Sequence, residues 1–187
     1  MLKKSFLAVF TLLMLTTLVL TACGNKKDDE MSAEERQKII DDGTVGFEKN
    51  GGEITKAENI PAEENKAILA AFNEYITAFN SKEIDRYMQT LSKNPKGFNY
   101  EGEKNYIKEV FKQSDVKRDA KDTTIIKYSE NEAQVYSNLT SHIVQTTTNI
   151  KHESAGQQVT VFVKEDGLWK VTSVFYTGDE TKSTTGK

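Results

Sequence analysis

Apolar residues recur along this chain at two different spacings, and the change from one to the other divides it. Pro61 has the fixed φ and missing N–H that suit the first turn of a helix. Beyond it, Ile68, Leu69, Phe72, Tyr75, Ile76 and Phe79 recur every three or four residues, which predicts one buried helical face running to about Phe79. Asn80 and Ser81 end this helix. Ser81 also reads as the cap of a second helix that buries Ile84, Tyr87, Met88 and Leu91 and is broken at Asn94-Pro95-Lys96-Gly97. A third helix, from about Glu101 to Gln113, offers Tyr106, Ile107, Val110 and Phe111.

After Asp119 the period falls from 3.6 to 2, the signature of strands. Thr123 to Tyr128 predicts a first strand, turning through Ser129-Glu130-Asn131. Glu132 to Gln145 follows, with Ala133, Val135, Ser137, Leu139, Ser141 and Ile143 on one side. Gln157 to Lys164 presents Val159, Val161 and Val163. Leu168 to Tyr176 presents Trp169, Val171 and Phe175, after a tight turn at Glu165-Asp166-Gly167. The expected fold class is α+β, with three N-terminal helices packed in a strongly curved antiparallel sheet of about four to five strands. Between helices and sheet, Asp115, Lys117, Arg118, Asp119, Lys121 and Asp122 read as a solvated, mixed-charge turn.

The N-terminus follows a different logic. Lys3 and Lys4 precede an uncharged run from Ser5 to Ala22, a basic head and apolar middle that describe a secretory signal. The run is close to the lower limit of about 17 residues for a spanning helix, but Leu20-Thr21-Ala22-Cys23 resembles the lipobox of bacterial lipoproteins. That resemblance implies cleavage of residues 1–22 and a diacylglyceryl and palmitate-type anchor on Cys23. Cys23 is the one cysteine, so no intrachain disulfide forms, and lipidation removes a thiol that would be a liability in an oxidising compartment. Two acyl chains hold a protein to a bilayer far better than one. The expectation is a cell-membrane protein anchored on the extracytoplasmic face, with Lys abundance and the anchor pointing to a Gram-positive envelope.

Residues 23–31, with little to bury, are expected to form a flexible tether. Within 32–60, Ser32-x-x-Glu35 reads as a capping box opening a short helix, and Val45, Phe47, Asn50-Gly51-Gly52 and Ile54 as a small hairpin. Residues 61–178 are expected to form the folded domain, and 179–187 a disordered tail. Loss of Lys3 and Lys4 with the signal deepens the formal charge of −3 by two. No basic stripe invites nucleic acid, and 37% hydrophobic residues suffice for one core.

The run Ala-Phe-Asn-Ser-Lys-Glu-Ile-Asp-Arg-Tyr-Met, from Ala78 to Met88, resembles the helix-to-helix joint of the nuclear transport factor 2-like superfamily. The closing hairpin Val163-Lys164-Glu165-Asp166-Gly167-Leu168-Trp169-Lys170-Val171 resembles that of the same superfamily. The resemblance spans roughly Pro61 to Gly178 and implies a cone whose sheet wraps a helix around a pocket. Members include isomerases, cyclases, dehydratases and non-enzymatic binding or assembly domains, so the fold leaves function open.

Acid–base chemistry in such a cone needs an inward carboxylate or imidazole. The odd positions of the later strands supply only hydroxyls and apolar groups, and Lys127, Tyr75, Tyr87 and Tyr106 lack an evident partner base. The pocket residues expected are Tyr75, Phe79, Tyr106, Val135, Leu139, Val161, Trp169 and Phe175. Catalytic residues, cofactor and metal are expected to be none, since His142 and His152 are the two histidines and no phosphate loop or nucleophile elbow occurs. The sequence thus predicts a lipoprotein that is not an enzyme, binding a small apolar ligand or an envelope protein. The alternatives are an isomerase, cyclase or dehydratase using the pocket, or a structural adaptor. An inward carboxylate within hydrogen-bonding reach of a tyrosine at the cone's base would favour the enzyme, and a filled cone would argue for an assembly domain. Even positions such as Tyr136, Val144, Phe162, Val174 and Tyr176 suggest a partly apolar outer sheet face, either pairing two copies or covered by residues from Ser32 to Ala57.

Overall fold

The structure, a computed structural model, describes residues 49–50, 53–178 and 182–184. The signal, the lipobox cysteine, the tether and the helix expected after Ser32 lie outside them. A short pair, β1 (Lys49–Asn50) and β2 (Glu53–Ile54), joins Lys49 to Ile54 in antiparallel register. Three helices follow: α1 (Ala62–Asn80), α2 (Ile84–Thr90) and α3 (Tyr100–Gln113). They pack on an antiparallel sheet in the order β3 (Ser114–Tyr128), β4 (Glu132–Gln145), β5 (Lys151–Glu165) and β6 (Leu168–Gly178). A short β7 (Lys182–Thr184) pairs with the start of β5. This is the α+β arrangement of helices in a curved sheet.

Pro61 stands immediately before the first residue of α1, and Ile68, Phe72, Tyr75, Ile76 and Phe79 are its buried stripe. Ser81 closes α1 by donating its N–H to the Thr77 carbonyl, and Glu83 rather than Ser81 precedes α2. The intervening Lys82 turns the chain with a φ of 58°. The β5–β6 turn carries positive φ at both Asp166 (50°) and Gly167 (78°), which matches the right-handed twist of a two-residue hairpin.

Two differences from the sequence pattern matter for the site. The mixed-charge stretch is not a turn: β3 begins at Ser114 and pairs without interruption from Ser114–Gln145 to Lys121–Asn138. Its charges alternate around Val116 and Ala120, so Val116, Arg118 and Ala120 share the face turned toward the helices. The second difference is parity. In the β4–β5 register Val135 lies opposite Thr160 and Ala133 opposite Phe162, so the even residues of β5 face inward. Phe162 is therefore fully buried in the main core, whereas Val159 and Val161 join Ile126 and Tyr136 in a second cluster on the other face.

On β6 a bulge leaves Thr172 without a cross-strand partner and reverses the alternation. Trp169, Val171 and Val174 consequently point inward, and Phe175 outward. The Thr172 carbonyl accepts the N–H groups of Lys96 and Gly97, tying the α2–α3 loop to the bulge. A Cβ at Gly97 would lie 2.8 Å from the Cβ of Ser173.

The chain crosses from one sheet face to the other just before α1. Ile54 packs on the outer cluster, the Ala57 N–H bonds to the Ile125 carbonyl at 2.9 Å, and Ala57 and Ile60 pack on the main core. This strap covers part of the free edge of β3, which would otherwise offer unpaired backbone groups.

Candidate functional site

The helix-facing side of β3 and the three helices bring together four polar side chains that sequence spacing kept apart. Tyr75 on α1 and Tyr87 on α2 are both buried, with ring centroids 5.5 Å apart. The Tyr87 hydroxyl donates to Glu103 Oε1 on α3 at 2.7 Å. Arg118 Nη1 on β3 donates to the Tyr75 hydroxyl at 3.3 Å. Phe79 closes the group: its ring lies 5.8 Å from that of Tyr87, and the Arg118 guanidinium carbon sits 3.6 Å above it.

The local structure explains the aim of each group. Glu103 falls on the same stripe of α3 as Ile107 and Val110, at helical spacings of four and three, so it points where Ile107 is buried. Asn99 caps α3 by accepting the Gly102 N–H at 2.8 Å, which fixes the turn that carries Glu103. Arg118 is anchored through its backbone, its N–H donating to Asn80 Oδ1 and its carbonyl accepting from Asn80 Nδ2.

Burial divides the labour. Tyr87 is 2% exposed, whereas Glu103 and Arg118 are half-buried and reach solvent. Burial pushes the Tyr87 phenol well above the usual tyrosine range, with Tyr75 and the Glu103 carboxylate adding to the rise and Arg118 opposing it. Tyr87 is thus a permanent donor that pins Glu103 Oε1. Glu103 Oε2 has no partner among the described residues. The result is an inward carboxylate, held by a buried tyrosine, with one oxygen free for proton transfer.

Of the pocket residues expected from the sequence, Tyr75, Phe79, Val135, Leu139 and Trp169 meet in the main core, while Val161 and Phe175 lie on the opposite face. Tyr106 is 62% exposed, because Ile107 takes the inward position on α3. Glu103 and Arg118 were missed. The first was legible as a carboxylate within an apolar helical stripe, the second as an inward position once β3 is extended back to Ser114.

A separate groove of about 340 Å³ runs between α1, α2 and the β5–β6 hairpin, lined by Ala67, Ala70, Ala71, Glu74, Arg86, Thr90 and Trp169 among others. Of its charged lining residues, Lys170 donates to the Gln89 carbonyl at 2.6 Å, and Arg86 and Glu74 pair with each other. Arg86 makes a two-pronged pair with Glu74 at 2.6 and 2.8 Å and also reaches Glu83. Beside the groove, Glu64 accepts from Lys164 and from Nε1 of the lining Trp169. No group of three metal-ligating side chains occurs among the described residues, and no helix among them is long and apolar enough to cross a membrane.

The solved structures that resemble this one share its cone. A Novosphingobium aromaticivorans protein with the provisional name scytalone dehydratase matches over 67% of this chain and 90% of its own, with TM-score 0.59 and 16% identity. A type 2 hexachlorocyclohexane dehydrochlorinase matches over 67% and 91%, with TM-score 0.58 and 11% identity. A ketosteroid isomerase-like protein of Erwinia carotovora atroseptica matches over 61% and 95%, with TM-score 0.53 and 22% identity. These likenesses identify the fold as nuclear transport factor 2-like.

They also overturn the expectation that the domain is not an enzyme. Proteins named for dehydration, dehydrochlorination and isomerisation use the same cone, and Tyr87, which lacks an evident partner base in the sequence, meets the Glu103 carboxylate in the structure. No curated protein matches the chain in sequence. Residues 70–177, however, match the family of the anti-sigma-I factor RsgI9 C-terminal domain, and the chain belongs to that family.

Proposed function

We propose that this protein is held on the extracytoplasmic face of a cell membrane by lipidated Cys23, and that its cone performs proton-transfer chemistry of the isomerase, cyclase or dehydratase type on a small organic molecule. The observation that carries this reading is the 2.7 Å hydrogen bond from Tyr87 to Glu103. A base oriented by a buried third group is the arrangement acid–base catalysis requires. In the step proposed, Glu103 Oε2 takes a proton from a carbon next to a carbonyl, the C–H electrons move into that carbonyl, and an enolate forms. Return of the proton to a different carbon gives isomerisation; departure of a β-hydroxyl with that proton gives alkene and water. Tyr87 is a positioning residue, because its buried hydroxyl is committed to the carboxylate.

The family match supports a second reading, in which occupancy of the same site is communicated to a protein partner in the envelope, since the family is named for a domain of an anti-sigma factor. The first reading is tested with the full chain in detergent, incubated in D2O with small enolisable ketones and keto acids while deuterium uptake is followed by mass spectrometry. Uptake by at least one compound that is lost in E103Q supports it. Uptake no faster than in E103Q across the whole series contradicts it.

A further inference from the structure

We infer that the molecule handled at this site carries a carboxylate, and that Arg118 receives it. This rests on the proton-transfer reading and names its substrate class. Arg118 faces the helices, and the strand registers Arg118–Ser141 and Ser141–Ser154 place the three residues in one row across three strands, with the Ser154 hydroxyl bonded to that of Tyr176 at 2.9 Å. The guanidinium carbon sits 3.6 Å from the centre of the Phe79 ring, and one N–H goes to the Tyr75 hydroxyl.

No acid neutralises this cation among the described residues. The nearest acids along its strand are engaged elsewhere, Asp115 with Lys82 at 3.1 Å and Asp119 with Lys121 at 3.5 Å, and both fall on the opposite side of β3. The Ser141 hydroxyl likewise has no side-chain partner among the described residues. Because the guanidinium reaches solvent and spends one N–H on Tyr75, its remaining donors are open to a ligand. Its planar fork matches a carboxylate in two parallel hydrogen bonds, and Ser141 is placed to donate a further one.

The two tyrosines give the arrangement its direction. Tyr75 steadies the guanidinium, Tyr87 steadies the base, and their rings stand side by side. Through these contacts a carboxylate seated on Arg118 stands on the same network as Glu103. The Arg118 charge also offsets the repulsion that Glu103 would exert on an anionic substrate.

The test is isothermal titration of the full chain in detergent with benzoate, and with benzamide as its uncharged isostere. Expected are binding of benzoate, binding of benzamide weaker by about tenfold or more, and a comparable loss of benzoate affinity in R118Q. R118K keeps the charge but not the fork and is expected between the two, which guards against a variant that merely fails to fold. E103Q is expected to bind benzoate at least as well as the parent, because a like charge is removed. Equal binding of benzoate and benzamide, unchanged affinity in both Arg118 variants, or no benzoate binding by the parent would overturn the inference. Benzoate binding as expected without deuterium uptake from any compound would leave the carboxylate site standing and defeat the proton-transfer reading instead.

Discussion

Tyr87 and Glu103, sixteen residues apart, meet through a 2.7 Å hydrogen bond that joins α2 to α3 on the inner side of the cone. The bond ties the most deeply buried phenol of the group to a carboxylate with one free oxygen. Its two ends sit in different surroundings, and each has its own measurable consequence.

The phenol predicts an alkaline limit to stability. Its folded pKa lies well above the usual 10.0 because burial disfavours the phenolate, with Tyr75 and Glu103 adding to the effect. Above the unfolded-state value the native protein therefore holds a proton that the unfolded chain has released. That contribution is complete below pH 10 and is lost as pH rises toward the folded pKa, at up to about 1.4 kcal/mol per pH unit. Urea unfolding between pH 9 and pH 11 is expected to fall more steeply in the parent than in Y87F by about one proton.

Glu64 sets a limit at the acid end. Hydrogen bonds from Lys164, the larger cause, and from Trp169 Nε1 hold its carboxyl below the usual glutamate range. The stabilisation is present above the unfolded-state pKa and is lost as pH falls through the lowered native value. Trp169 is the one tryptophan, so its fluorescence reports this contact directly. A transition below the ordinary carboxylate range is expected in the parent and not in E64Q.

Gly97 is required by proximity rather than by its backbone angles. A Cβ there would stand 2.8 Å from the Cβ of Ser173 and 3.0 Å from its Cα, so the α2–α3 loop or β6 has to shift. G97A is expected to cost about 1–3 kcal/mol, read as a lower thermal midpoint. An unchanged midpoint would mean that the loop does not sit against the Thr172 bulge.

The anchor is tested separately from the fold. C23A is expected to leave the precursor unprocessed or to release the protein from the membrane fraction, by immunoblot of separated membranes. A normally processed, membrane-bound C23A protein would contradict lipidation at Cys23.

The elements written in repeating patterns could be read without a structure, and those written in exceptions could not. The stripe from Ile68 to Phe79 and the turn at Asp166-Gly167 have local causes, side-chain period and positive φ. The inward face of β5 depends on a register between strands, Val135 opposite Thr160, that no single strand encodes. Likewise, Phe175 faces outward because Thr172 is an extra residue. The candidate site lies largely among such exceptions: Arg118 within a stretch that looks like a charged turn, and Glu103 on a helix whose neighbouring Tyr106 looks like the better candidate. Both become legible only when β3 is traced back to Ser114 and α3 is phased on Ile107.

The most direct measurement is the deuterium-uptake rate of one accepted compound with the parent, Y87F and E103Q, each first checked for native folding. Removing the base is expected to slow uptake by about 10²–10⁴-fold. Y87F, which frees the carboxylate to swing without removing it, is expected to lose less and to show a smaller change in KM than in kcat. Equal rates in all three folded proteins would contradict Glu103 as the positioned base.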